Sequence, residues 1–97
     1  MTVHIFAVVF EWDAGNQRKN QLKHEVTMNE CEQVFFNKPL LLLDDITHSK
    51  NEKRSHALGQ TNDGRTLSIT FTERKACIRV ISARPMSKRE RTLYEKA

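Results

Sequence analysis

The sequence predicts an α+β domain in the order β-α-α-β-β-β-β-α, and three patterns predict it. Thr27-Met28-Asn29-Glu30 and Ser87-Lys88-Arg89-Glu90 each set a hydroxyl three residues before a glutamate, the spacing with which a helix caps its own first turn. From Arg54 to Ala83 the chain runs instead in short, largely alternating apolar and polar stretches broken by turn-forming residues. The opening run from Val3 to Trp12 is apolar and β-branched, as a strand requires. The late strands should pair as a small antiparallel sheet, with two N-terminal helices and a C-terminal helix packed on one face. The other face is then open to a ligand. At 97 residues, the chain supports a single domain spanning 1–97, with one modest core and no room for a cofactor domain.

After the Val3–Trp12 strand, Asp13 caps a polar helix over Ala14–His24, whose single large apolar residue is Leu22. Thr27 opens a second helix reaching Phe36, with Cys31, Val34 and Phe35 on its core face. Pro39 ends that segment, and Leu40–Leu43 is expected as a buried strand. Asp44–Lys53 is charged and loop-like. Strands are expected at Arg54–Gln60, Arg65–Thr72 and Ala76–Ala83, with turns at Asn62-Asp63-Gly64 and Glu73–Lys75. Setting Thr72 against Cys77 pairs Phe71 with Ile78 and Ile69 with Val80 on one apolar face, and leaves Arg79 beside Thr70 on the polar face. Ser87 then opens the final helix to Glu95, docked by Leu93 and Tyr94 with its basic side outward.

Charge is unevenly spread. Residues 1–52 hold five Lys/Arg against eight Asp/Glu, whereas residues 53–97 hold eleven against four. A basic half in a chain of pI near 9.3 points to an acidic partner, nucleic acid first. Arg79 and Arg84 on a rigid strand suit phosphate, since one guanidinium can hold two phosphate oxygens. No apolar run approaches the roughly 20 residues of a membrane span. Val3–Phe10 reads as a strand rather than a signal peptide. Cys31 and Cys77 lack CxxC spacing and read as reduced thiols of a cytoplasmic protein, and the four histidines are too scattered for a metal site.

An ordered set of residues resembles the BrnT family of toxins from bacterial type II toxin–antitoxin systems. The set begins with Phe10-Glu11-Trp12-Asp13, then Asn20 and Lys23-His24, and continues with Glu52-x-Arg54 leading to Gly59. Its most specific part is Ile78-Arg79-Val80-Ile81-Ser82-Ala83-Arg84-Pro85-Met86-Ser87, followed by Arg89-Glu90-Arg91 and Tyr94-Glu95. The resemblance runs from Phe10 to Glu95. It implies a RelE-like ribonuclease fold, RNA cleavage that inhibits translation, no cofactor, and neutralisation by a BrnA-type antitoxin. Promoter DNA would be met only through the antitoxin complex. Two departures stand out: Glu25 where the family has glycine, and a longer Asn37-Lys38-Pro39 segment.

Metal-free RNA cleavage needs a group that takes the 2′-hydroxyl proton, a cation at the phosphorane and a proton for the 5′-oxygen. Arg79 and Arg84 are the candidate cations, although Arg79 could instead pair with Glu52, and Arg84 could anchor the chain before Pro85. His24 is the candidate acid or base, or else a helix-end histidine held by the helix dipole. Lys23 beside it could contact phosphate or remain solvated. Glu52 could act as base or position Arg54, and Arg54 could face RNA or pair with Glu52. Lys88, Arg89 and Arg91 suit RNA backbone or the antitoxin. Trp12 belongs to the core, while His48 and His56 have no assigned role. The competing reading is a non-catalytic nucleic-acid-binding or co-repressor module that acts with its antitoxin.

Overall fold

The computed structural model describes residues 9–12, 24–46, 52–74 and 76–97. Its strands are β1 (Val9–Glu11), β2 (Leu41–Asp45), β3 (Arg54–Gln60), β4 (Thr66–Arg74) and β5 (Cys77–Pro85). Two helices accompany them among the described residues, α1 (Met28–Phe36) and α2 (Lys88–Glu95). The strands form one sheet in the order β1-β5-β4-β3-β2, with β1 parallel to β5 and the other neighbours antiparallel. The expected helix over Ala14–His24 lies outside the described residues apart from His24, as does Val3–Val8 of the first strand. No helix among the described residues is long and apolar enough to cross a membrane.

Both capping boxes form. Thr27 Oγ1 accepts the Glu30 N–H at 3.1 Å while Glu30 Oε1 accepts the Thr27 N–H at 3.0 Å. Ser87 and Glu90 do the same at 3.2 and 2.8 Å. Each pair satisfies two amides that a helix start leaves without internal partners.

Helix α1 lays Cys31, Val34 and Phe35 onto one face of the sheet, against Ala57, Leu67, Ile69, Phe71, Ile78, Val80 and Ala83. Phe35 meets Phe10 and Phe71 edge-on at 5.4 and 5.2 Å. Trp12 packs at the margin of this core, its indole N–H donating to Glu32 at 3.1 Å. Burying each large aliphatic side chain here contributes roughly 1.5–3 kcal/mol, more than a surface ion pair can. The close approach of α1 to β3 needs Gly59. A Cβ there would stand 2.7 Å from Val34 Cγ1 and 3.2 Å from the Val34 carbonyl oxygen.

Several expectations need correction. The helices do not share one face: α2 packs on the side opposite α1, where Met86 and Tyr94 join Leu58, Leu41 and Leu43. The Tyr94 hydroxyl donates to the Pro39 carbonyl at 2.6 Å and pins α2 to the start of β2. β2 is an edge strand rather than a buried one, with Leu42 exposed, and it runs on through Asp44 and Asp45 where a loop was expected. The β4–β5 turn is tighter by two residues, all on the β4 side, with Arg74 opposite Cys77 and Thr72 opposite Arg79. That shift of two residues preserves every face, so Arg79 keeps its place on the face away from α1. Beyond Val80 the register slips: Phe71 pairs with Val80 but Thr70 with Ser82, leaving Ile81 as a bulge. The bulge has a large consequence. Arg79 and Arg84 are five apart and would face opposite ways on a regular strand; the extra residue puts both on the same face.

Candidate functional site

Away from α1, the sheet presents side chains in rows that run across its strands. One row runs Asp45, Arg54, Thr72, Arg79, Glu11 from β2 to β1. The next runs Leu43, His56, Thr70, Ser82, and the one beyond it Leu41, Leu58, Ser68, Arg84. The third row meets α2 and is apolar at its β2 end. The first is polar throughout, and the second is polar apart from Leu43, which joins the apolar cluster with Tyr94 of α2.

In the first row, Arg54 and Arg79 stand on the strands either side of Thr72. At about 4.8 Å between strands, their Cα atoms are about 10 Å apart, close enough for both guanidinium groups to reach one phosphate. Thr72 is 2% exposed, and its Oγ1 has no hydrogen-bond partner. A buried hydroxyl left so costs roughly 1–3 kcal/mol. Arg79 is half-buried and makes no side-chain hydrogen bond or ion pair among the described residues, although Glu11 stands opposite it on β1.

In the second row, His56 bridges two strands. Its Nε2 lies 3.1 Å from Asp45 Oδ2, and its Nδ1 lies 2.9 Å from Thr70 Oγ1. A carboxylate can only accept, so the ring proton is assigned to Nε2 and the Thr70 hydroxyl donates to Nδ1. The imidazole is thus held at both nitrogens and half-exposed at its rim.

The other candidate residues occupy different places. Glu52 is bound by Arg74, whose Nε donates at 2.9 Å, at the outer rim of this face. This hydrogen bond and the Glu52 charge raise the Arg74 pKa. Arg84 is forked onto Glu90, Nη1 to Oε1 at 2.7 Å and Nη2 to Oε2 at 3.0 Å, with the Ser68 hydroxyl donating to the same carboxylate at 3.2 Å. Arg84 therefore ties β5 to α2. Lys88, Arg89 and Arg91 are exposed on α2.

Lys23 lies outside the described residues. His24 is held through its carbonyl by Arg65 Nη2 at 2.8 Å, while Arg65 Nη1 holds the Glu25 carbonyl at 2.8 Å and the Glu30 carboxylate at 3.1 Å. Glu25 adopts φ 54, the left-handed conformation that a glycine would take without strain. Arg65 precedes β4, whereas Arg79 faces Thr72, seven residues on. That is about 23 Å along the strand, so the described chain does not bring His24 beside Arg79. Asp45 and His56 carry no signal as site residues in the sequence, and Thr70 and Thr72 enter it only through the hairpin pairing, because the association of the four is made by strand register. The buried Cys31 thiol is pushed up to about 12, chiefly by burial, and is chemically inert.

A family model described as "Ribonuclease toxin, BrnT, of type II toxin-antitoxin system" matches residues 12–90. Among solved structures, the crystal structure of the Brucella abortus ribonuclease toxin BrnT is similar, with a TM-score of 0.65 and 19% identity. The match covers 84% of this chain and 99% of that one; at this identity it speaks for the fold. No curated protein matches the chain.

Proposed function

We propose that this chain, which belongs to the BrnT family of ribonuclease toxins of type II toxin–antitoxin systems, cuts RNA without a metal ion by attack of the 2′-hydroxyl on its own phosphodiester. The observation that carries the reading is the row Arg54–Thr72–Arg79. Two guanidinium groups flank Thr72 on one face of the sheet, a pair of donors complementary to the dianionic phosphorane. Charge agrees, since the half of the chain that builds this face carries the basic excess. Lys88, Arg89 and Arg91 on α2 would extend the grip along the RNA backbone.

The remaining assignments come from the family resemblance. Lys23 and His24 would complete the site from the N-terminal segment, Glu52 would order its rim through Arg74, and the overall kinship would be with RelE-like nucleases. The partner would be a BrnA-type antitoxin acting in the cytoplasm, and promoter DNA would be reached through it. The test is the chemistry of the cut ends. Attack by O2′ leaves a 2′,3′-cyclic phosphate and a 5′-hydroxyl, and a substrate with 2′-deoxy sugars throughout resists cleavage. Cutting of that deoxy substrate would overturn the mechanism.

A further inference from the structure

We infer that His56, oriented by Asp45 and acting through Thr70, is the proton acceptor of this site. The inference rests on the ribonuclease reading above and assigns its base.

Three facts carry it. First, His56 lies on the same face as Arg54 and Arg79, one row along, so its partner Thr70 is next to Thr72 in the alternation of β4. At about 6.8 Å per two residues, a phosphate gripped over Thr72 brings its ribose to the Thr70 hydroxyl. Second, the hydrogen bonds are directional. Asp45 accepts from Nε2, which leaves the Nδ1 lone pair aimed at Thr70 Oγ1, 2.9 Å away. This is the order acid–imidazole–hydroxyl with which a hydroxyl is made more basic. Third, the ring is placed by packing as well as by its partners, since it sits between β2 and β4 on a central strand. The charged groups facing it are Asp45 on β2, Arg54 on its own strand and Arg79 on β5; Arg84 and Glu90 lie one row beyond, paired with each other.

The O2′ proton passes to Thr70 Oγ1 as the Thr70 proton passes to His56 Nδ1, and Asp45 holds the imidazolium so formed. The O2′–P bond forms and the P–O5′ bond breaks. The 5′-oxygen takes a proton from water, and the resulting hydroxide discharges the imidazolium.

The test is single-turnover cleavage of a labelled RNA across pH by wild type, His56→Gln, Thr70→Val, Thr70→Ser and His24→Gln, with folding checked by circular dichroism. His56→Gln is expected to lose roughly 10²–10⁴-fold in rate with RNA affinity unchanged, and to lose the limb of the pH profile that an imidazole produces. Thr70→Val should match it, and Thr70→Ser should restore most of the rate because it restores the hydroxyl. If His56→Gln fails to fold, the Thr70 pair decides alone. Wild-type rate and pH profile in Thr70→Val, or in folded His56→Gln, overturn this inference and leave the ribonuclease reading standing. Loss of the same pH limb in His24→Gln, with His56→Gln retaining it, likewise moves the base to His24. A wild-type chain that cuts no RNA overturns both.

Discussion

The Arg84 guanidinium closes a two-pronged ion pair on Glu90, at 2.7 and 3.0 Å, and with it joins the last strand to the last helix. Glu90 also caps its own helix at Ser87 and receives the Ser68 hydroxyl, so one carboxylate links β4, β5 and α2. A residue that the sequence marks as a phosphate candidate thus has a carboxylate partner in this structure.

Acid stability should report this carboxylate. Burial pushes the Glu90 carboxyl up, but hydrogen bonds from Arg84 and Ser87 outweigh it and hold the pKa at about 2 instead of 4.5. The folded-state value is depressed, so the stabilisation is whole above the unfolded value and disappears as pH falls from about 4.5 toward about 2. Allowing for solvent screening, it is worth on the order of 2 kcal/mol. Urea denaturation of wild type and Glu90→Gln between those pH values should show the difference narrowing as pH drops.

Glu25 should be improvable. Its φ of 54 is costly for a side-chain-bearing residue, and Arg65 holds the strained turn from outside through two carbonyls. Glu25→Gly is expected to stabilise by about 0.5–1 kcal/mol, a rise in Tm of about 3–6 °C. A lower Tm would mean that the Glu25 side chain contributes a contact larger than the strain.

Gly59 should be intolerant. Alanine there meets the backbone carbonyl and Cγ1 of Val34, and neither can move without lifting α1 from the sheet. Gly59→Ala is expected to cost about 1–3 kcal/mol in chemical denaturation.

Thr72 separates stability from function. Thr72→Val keeps the shape and removes a buried hydroxyl without a partner. The free protein should gain about 1 kcal/mol while RNA binding weakens. Loss of stability with affinity unchanged would show that the hydroxyl serves the fold.

Much of the scaffold was readable in advance because its determinants are local. The two capping boxes mark both described helices, and alternation in β4 and β5 sets Arg79 opposite the core even though the register is displaced by two. The displacement arises because the turn is tight: Ala76 takes φ 67, leaving Arg74 and Cys77 paired. The bulge at Ile81 has no such local mark, since Ile81 continues the apolar pattern it interrupts. The docking of α2 lacks a local mark for a related reason: its site is Leu58 on a distant strand, among residues that read equally well as core of the other face. The His56 cluster was invisible because its members, 11 and 14 residues from the histidine, meet only through the register of three strands.

The central claim, that the Arg54–Thr72–Arg79 row is where RNA is cut, is tested most directly by incubating labelled RNA with wild type and Arg79→Ala in EDTA. The account predicts cleavage by wild type and a loss of roughly 10²–10³-fold in Arg79→Ala, with circular dichroism and Tm unchanged because Arg79 has no described partner to lose. Cleavage by a folded Arg79→Ala protein at the wild-type rate would contradict it.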